Sequence, residues 1–143
     1  MTVKQISVFL ENKPGMLAEF VSVLRQNKID MRALSIAEAP DFGIARVIVT
    51  DSYNTACVLK EAGYVFSITP VLAVAIPDEP GSLSSILNLL AENDINLEYS
   101  YAFTSRHKDL AYMIFRVADE EKAAEILTEQ GIKLVCQDEL NNL

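Results

Sequence analysis

Residues Asn12-Lys13-Pro14-Gly15-Met16-Leu17 return as Asp78-Glu79-Pro80-Gly81-Ser82-Leu83, so the chain carries two copies of one unit. Sliding the sequence against itself by 66 positions superposes Pro14 on Pro80, Gly15 on Gly81, Leu17 on Leu83, Leu24 on Leu90, Asn27 on Asn93 and Ile29 on Ile95. Leu59 and Gly63 match Leu127 and Gly131 two positions further along, which places a small insertion between the third strand and the second helix of the second copy. A repeat of this length constrains the fold more than composition does, because each copy must close the same core. Thr69-Pro70 separates two apolar runs, Val65 to Ile68 and Val71 to Ile76, and proline favours an extended connection. The division therefore falls there, giving domains of residues 1–69 and 70–143 without a flexible linker.

The periodicity within each copy is that of one ordered unit. Ile6, Val8 and Leu10 alternate with Gln5, Ser7 and Phe9, which is strand spacing with the more apolar face turned to a core. After the Pro-Gly pair the period lengthens. Leu17, Phe20, Val21 and Leu24 fall on one helical stripe, and Leu83, Ile86, Leu87 and Leu90 repeat it. Polar turns at Asn27-Lys28 and Asn93-Asp94 lead into second strands at Ile29-Asp30-Met31 and Ile95-Asn96-Leu97. A hairpin follows in each copy, with tips at Pro40-Asp41-Phe42-Gly43 and at Ser105 to Asp109. Third strands run over Ile44 to Thr50 and Leu110 to Val117. Second helices run from about Asn54 to Ala62 and from about Glu120 to Gln130, with Asp119 as an N-cap and Gly63 and Gly131 as stops. Val65 to Ile68 and Lys133 to Cys136 close the units as fourth strands.

The order β-α-β-β-α-β, twice, is an α+β, ferredoxin-like arrangement with antiparallel sheets and helices on one face. The other face must be covered or polar. If both copies pair in the same register, Tyr99, Tyr101 and Phe103 make an aromatic row on that open face and a natural interface. A slip or bulge would return them to the core.

Units of roughly 70 residues sit near the lower limit for a self-sufficient core, so the halves should lean on each other and on a second chain, as a homodimer. The formal charge of −8 argues against nucleic acid, which needs concentrated Lys and Arg. The run Val71 to Ile76 is too short to span a bilayer, and no signal-type segment opens the chain, so a cytoplasmic protein is expected. Cys57 and Cys136 stand far apart and form no metal or redox motif; they read as buried thiols, with a disulfide as the alternative. His107, in a polar tip, reads as a solvated loop histidine. With one histidine, distant cysteines and no compact acid cluster beside them, neither a metal site nor a nucleophile-base pair is indicated, and no enzyme is expected. Asp119-Glu120-Glu121 reads as a helix N-terminus and Asp138-Glu139 as a solvated tail.

Asn/Asp-x-Pro-Gly-x-Leu at a strand-to-helix junction, followed by the amphipathic helix and an Ile-Asn/Asp opening to the second strand, resembles the ACT domain, over both halves. That resemblance implies a regulatory module that binds an amino acid or related effector, here standing alone and acting on a separate partner enzyme of amino-acid metabolism, with no cofactor. It implicates Asn12, Pro14, Gly15, Met16 and Leu17 with Ile29 and Asp30, and Asp78, Pro80, Gly81, Ser82 and Leu83 with Ile95 and Asn96. The chemistry is plausible from the residues themselves. A first helical turn offers unpaired N–H groups and the positive dipole end to a carboxylate. Asn12, Asp30, Asp78 or Asn96 can accept from an ammonium, and glycine permits close approach. Asn12 is neutral and Asp78 anionic, so the two loops are not equivalent. The alternative is a ligand-free dimerisation or protein-interaction module, in which Pro-Gly only makes a tight turn.

Overall fold

The computed structural model of the chain describes residues 1–105 and 109–143. Arg106, His107 and Lys108, and with them the histidine reading and most of the second hairpin tip, lie outside the described residues. The chain divides into two compact units, Lys4–Thr69 and Pro70–Leu143 together with Met1–Val3.

The first unit contains β1 (Val3–Glu11, its first residue excepted), α1 (Met16–Gln26), β2 (Met31–Glu38), β3 (Phe42–Val49), α2 (Ser52–Glu61) and the start of β4 (Phe66–Pro77). Strand β3 pairs antiparallel with both β1 and β2. On the far side of β1 the Phe9 amide donates to the Val65 carbonyl at 2.9 Å. Ile6, Val8 and Leu10 meet Phe20 and Leu24 of α1, Leu59 of α2 and Ala45, Val47 and Val49 of β3, so both helices pack on one sheet face. The second unit repeats this with the rest of β4, α3 (Ser82–Glu92), β5 (Leu97–Phe103), β6 (Leu110–Val117), α4 (Glu120–Glu129) and β7 (Lys133–Val135), in the strand order β5-β6-β4-β7. Leu72, Val74 and Ile76 pack on Ile86 and Leu90 of α3 and on Ala123 and Leu127 of α4. The βαββαβ order is thus present twice, with antiparallel pairing and helices on one face of each sheet.

Local chemistry sets the element ends. Asp51 and Asp119 accept from the amides of Asn54 and Lys122, which starts α2 at Ser52 rather than Asn54. Gly63 and Gly131 take φ of +83° and +74° and terminate α2 and α4, with Tyr64 and Ile132 amides reaching back to Leu59 and Leu127. Lys28 and Asp94 do the same work after α1 and α3 at φ of +56° and +57°.

Several expectations need correction. Pro70 does not interrupt the chain: β4 runs as one strand from Phe66 to Pro77, where two strands were read. The first hairpin closes earlier, through the Ala39 amide on the Phe42 carbonyl at 2.8 Å, so Phe42 and Gly43 belong to β3. The two-residue insertion lies between β5 and β6, not after the third strand, since Ile48 and Arg116 already match across the repeat by pairing to Ala33 and Tyr99. Cys57 is exposed and Cys136 half-buried, both as free thiols. Cys57 stands off the Thr55–Leu59 stripe by which α2 packs, which turns it to solvent. Gln5 and Ser7 are buried although they alternate with the core residues of β1, and Gln5 Nε2 donates to Ser7 Oγ at 3.0 Å.

The last correction concerns the open face. Both copies carry the same bulge, between Met31 and Ala33 and between Leu97 and Tyr99, and past it Tyr99, Tyr101 and Phe103 face away from the helices. The aromatic row exists, with Tyr99 stacked on Tyr101 at 6.5 Å and Phe103 against Tyr112 at 6.0 Å. It is not a bare interface. The segment read as a solvated tail forms α5 (Gln137–Asn141), and its fully buried Leu140 shares a narrow crevice with Phe103, Tyr112 and Ile114.

Candidate functional site

Each Pro-Gly loop joins a strand end to a helix whose first turn lacks a side-chain cap. Gly15 and Gly81 are the N-cap residues, at φ of +87° and +91°. A Cβ on either would meet nothing within 4 Å, so glycine is required there by backbone conformation and not by close approach. The Glu19 and Ser85 amides return to the Gly15 and Gly81 carbonyls and begin the helical ladder. Between them, the amides of Leu17 and Ala18, and of Leu83 and Ser84, donate to no group among the described residues. Helices α2 and α4 differ, because Asp51 and Asp119 answer their first turns from within the chain. Each Pro-Gly loop thus presents two unanswered N–H groups and the positive dipole end of an 11-residue helix, chemistry that suits an anion.

The space in front of the two loops is unequal. The second opens on a cleft of about 880 Å3, lined by Pro80, Gly81 and Ser82 together with Ile76, Ser85, Leu89, Glu79 and Glu92 and closed on the far side by Leu110 and the Gln130–Lys133 turn. The first has a pocket of about 230 Å3, lined by Asn12, Met16 and Leu17 with Lys13, Ile36 and Glu38. Binding clefts for small molecules span roughly 300–1,000 Å3, so only the second is of that size. Met16 and Ser82 hold the same motif position, and the longer Met side chain stands at the smaller pocket.

The expected residues are only partly brought together. Pro14 and Gly15, and Asp78 and Leu83, belong to their loops but do not line these spaces. Ile29, Asp30, Ile95 and Asn96 lie at the other end of α1 and α3, helices of 11 residues, hence about 16 Å from the Pro-Gly loop of the same unit. There Asp30 and Asn96 accept the Thr50 and Ala118 amides through their carbonyls, and Arg32 pairs with the Asp30 carboxylate at 3.2 Å. Asn12 is committed as well, its Nδ2 donating to the Ala39 carbonyl at 3.0 Å. The Asp78 carboxylate makes no hydrogen bond or ion pair among the described residues, but the acids at the cleft rim are Glu79 and Glu92. Neither was singled out from sequence, nor was the Gln130–Lys133 wall, which lies some fifty residues from the loop. Among the described residues no His, Cys, Asp and Glu are grouped so as to hold a metal ion, and no helix is long and apolar enough to cross a membrane.

A family model described as an ACT domain pair matches residues 1–143. A solved protein, BT0572 from Bacteroides thetaiotaomicron, is 36% identical, with a TM-score of 0.93 over 100% of this chain and 98% of its own. The ligand-free regulatory subunit of aspartate kinase from Thermus thermophilus shares the fold at 16% identity, with a TM-score of 0.63 over 88% of this chain and 91% of its own. The corresponding subunit from Thermus flavus is similar at 18% identity and a TM-score of 0.59, over 88% and 90%. No curated protein sequence matches.

Proposed function

The chain belongs to the family of ACT domain pairs, and from that premise we propose that it is a non-catalytic sensor that binds an α-amino acid or related zwitterion at its second Pro-Gly loop and regulates a separate enzyme of amino-acid metabolism. The observation that carries this reading is that the uncapped loop residues Pro80, Gly81 and Ser82 line the 880 Å3 cleft, immediately before the unanswered amides of Leu83 and Ser84. A carboxylate placed there takes two N–H bonds and the helix dipole. Glu79 and Glu92 on the rim supply the opposite charge for an ammonium, and Ile76, Leu89, Leu110 and Ile132 give an apolar floor for the effector's side chain. The first loop, with its smaller pocket and Met16, serves as a structural copy of the site. The shared fold of aspartate kinase regulatory subunits supports a partner of that metabolic class.

Titration of the 15N-labelled chain with the common amino acids tests the proposal. One of them should shift the Leu83 and Ser84 amides saturably while leaving those of Leu17 and Ala18 in place. Equal shifts at both loops, or none at Leu83 and Ser84, would contradict it.

A second reading, an interaction module without a ligand, draws on the first unit. Phe9 and Phe42, with rings 6.3 Å apart, are 45% and 47% exposed. On that reading Phe9→Ser would reduce the mass of the assembly in solution, whereas Phe103→Ser, beneath α5, would act through folding. An unchanged mass for Phe9→Ser would remove it.

A further inference from the structure

The two units treat one sheet face differently. In the first unit Ser7, Arg46 and Ser35 lie side by side across β1, β3 and β2. The matching row of the second unit is Val135, Ala73, Ile114 and Tyr101. The first row carries hydroxyl and guanidinium groups, while the second is apolar save for the Tyr101 hydroxyl and gains by a cover from water. Helix α5 is that cover: Leu140, fully buried, and Leu143, half-buried, share a crevice with Ala73, Val135, Ile114, Phe103 and Tyr112, and Phe103 and Tyr112 are left 8% and 6% exposed.

The cover is weakly held for what it hides. Five residues are too few to sustain a helix alone. Its N-cap is Cys136, a residue type outside the preferred set. Its polar ties include the capping box in which Glu139 accepts the Cys136 amide at 3.1 Å, the Lys133–Glu139 pair at 3.1 Å and the Asn142 Nδ2 bond to the Asp138 carbonyl at 2.9 Å, and these lie in positions open to solvent and to screening by salt. Strand β6 beneath it is bonded on both sides.

We propose that α5 is a strap that opens while the rest of its unit stays folded, and that its opening lays bare the aromatic surface of Phe103 and Tyr112. Its closed-state occupant is this chain's own C-terminal segment, and the inference does not depend on ligand binding at the Pro-Gly loop.

Hydrogen exchange on the full chain reads the opening directly. The Leu140 and Asn142 amides, bonded within α5 at 2.9 and 3.0 Å, should exchange at least about 100-fold faster than those of β6, at rates insensitive to low denaturant, the mark of local opening. Exchange at the β6 rate would overturn the proposal. Cys136→Ser, which installs a favoured N-cap, should slow the α5 amides about 3- to 5-fold and leave β6 unchanged. No change, or an equal change in both, would count against it. Leu140→Ser in the full chain should keep its far-ultraviolet spectrum, bind an apolar dye and gain mass with concentration. An unfolded or dye-silent Leu140→Ser protein would refute a separable strap.

Discussion

Asn12 donates from Nδ2 to the Ala39 carbonyl at 3.0 Å and so ties the first Pro-Gly loop to the end of β2. Its counterpart Asp78 has no donor to offer, and the second loop is held by the backbone bond from the Asp78 amide to the Asp109 carbonyl. Asn12→Asp should therefore cost about 1 kcal/mol in urea denaturation, by losing the bond and setting an anion beside a carbonyl. Asp78→Asn should stay within about 0.5 kcal/mol. For binding the order changes: Glu79→Gln, at the cleft rim, should weaken an amino-acid ligand about 3- to 10-fold, and Asp78→Asn much less. Equal losses would place the ammonium elsewhere.

Gly81 sits at φ +91° with open space where a Cβ would be, so Gly81→Ala tests conformation free of steric conflict. The left-handed region costs an L-residue about 1–2 kcal/mol, and Gly81→Ala and Gly15→Ala should each lose roughly that much stability. Thermal melts showing neutral variants would contradict the assigned loop geometry.

Lys28 and Asp94 already bear such strain, at φ of +56° and +57°. Lys28→Gly should raise stability by about 0.5–1 kcal/mol, and Asp94→Gly by less, because a short polar side chain tolerates the conformation better. Chemical denaturation decides the sign, and destabilisation by Lys28→Gly would contradict the account of the helix ends.

The Glu139 carboxyl is held below its ordinary value of 4.5, first by the Cys136 amide and then by Lys133. A group whose folded pKa is depressed contributes stability above its unfolded pKa and loses it as pH falls through the folded one. The strap should thus be fastened at neutral pH and loosen only on acidification below the usual glutamate range. Carboxyl NMR titration should find the Glu139 midpoint under 4.5, and Glu139→Gln should abolish the acid response of the α5 amides. A midpoint at or above the ordinary value would show that the clasp does not form.

Much of the architecture could be read from residues alone, because the repeat doubled every signal. Leu17, Phe20, Val21 and Leu24 mark a helical stripe, and Leu83, Ile86 and Leu90 mark it again, with Leu89 packed on the core where the spacing points to Leu87. The second-strand aromatics could be placed on the face away from the helices only on the condition of a shared register, which the two bulges satisfy. What covers that face was hidden. The Leu140 and Leu143 spacing lies in a stretch too short and too acidic to show as a helix, and its burial is a property of the sheet beneath. The loops were evident in Pro14-Gly15 and Pro80-Gly81, but the size of the space before each was not. It depends on Met16 against Ser82 and on a wall at Gln130–Lys133 that no local pattern connects to the loop.

Isothermal calorimetry of the full chain and of its Ser82→Met variant against the common amino acids tests the central claim most directly. One ligand should bind at one site per chain with a dissociation constant below millimolar, and Ser82→Met, which places the first loop's side chain in the second cleft, should weaken it more than about 10-fold without loss of fold. Heats at the level of dilution for every amino acid, or binding that Ser82→Met leaves unchanged, would contradict a sensor built on the second Pro-Gly loop.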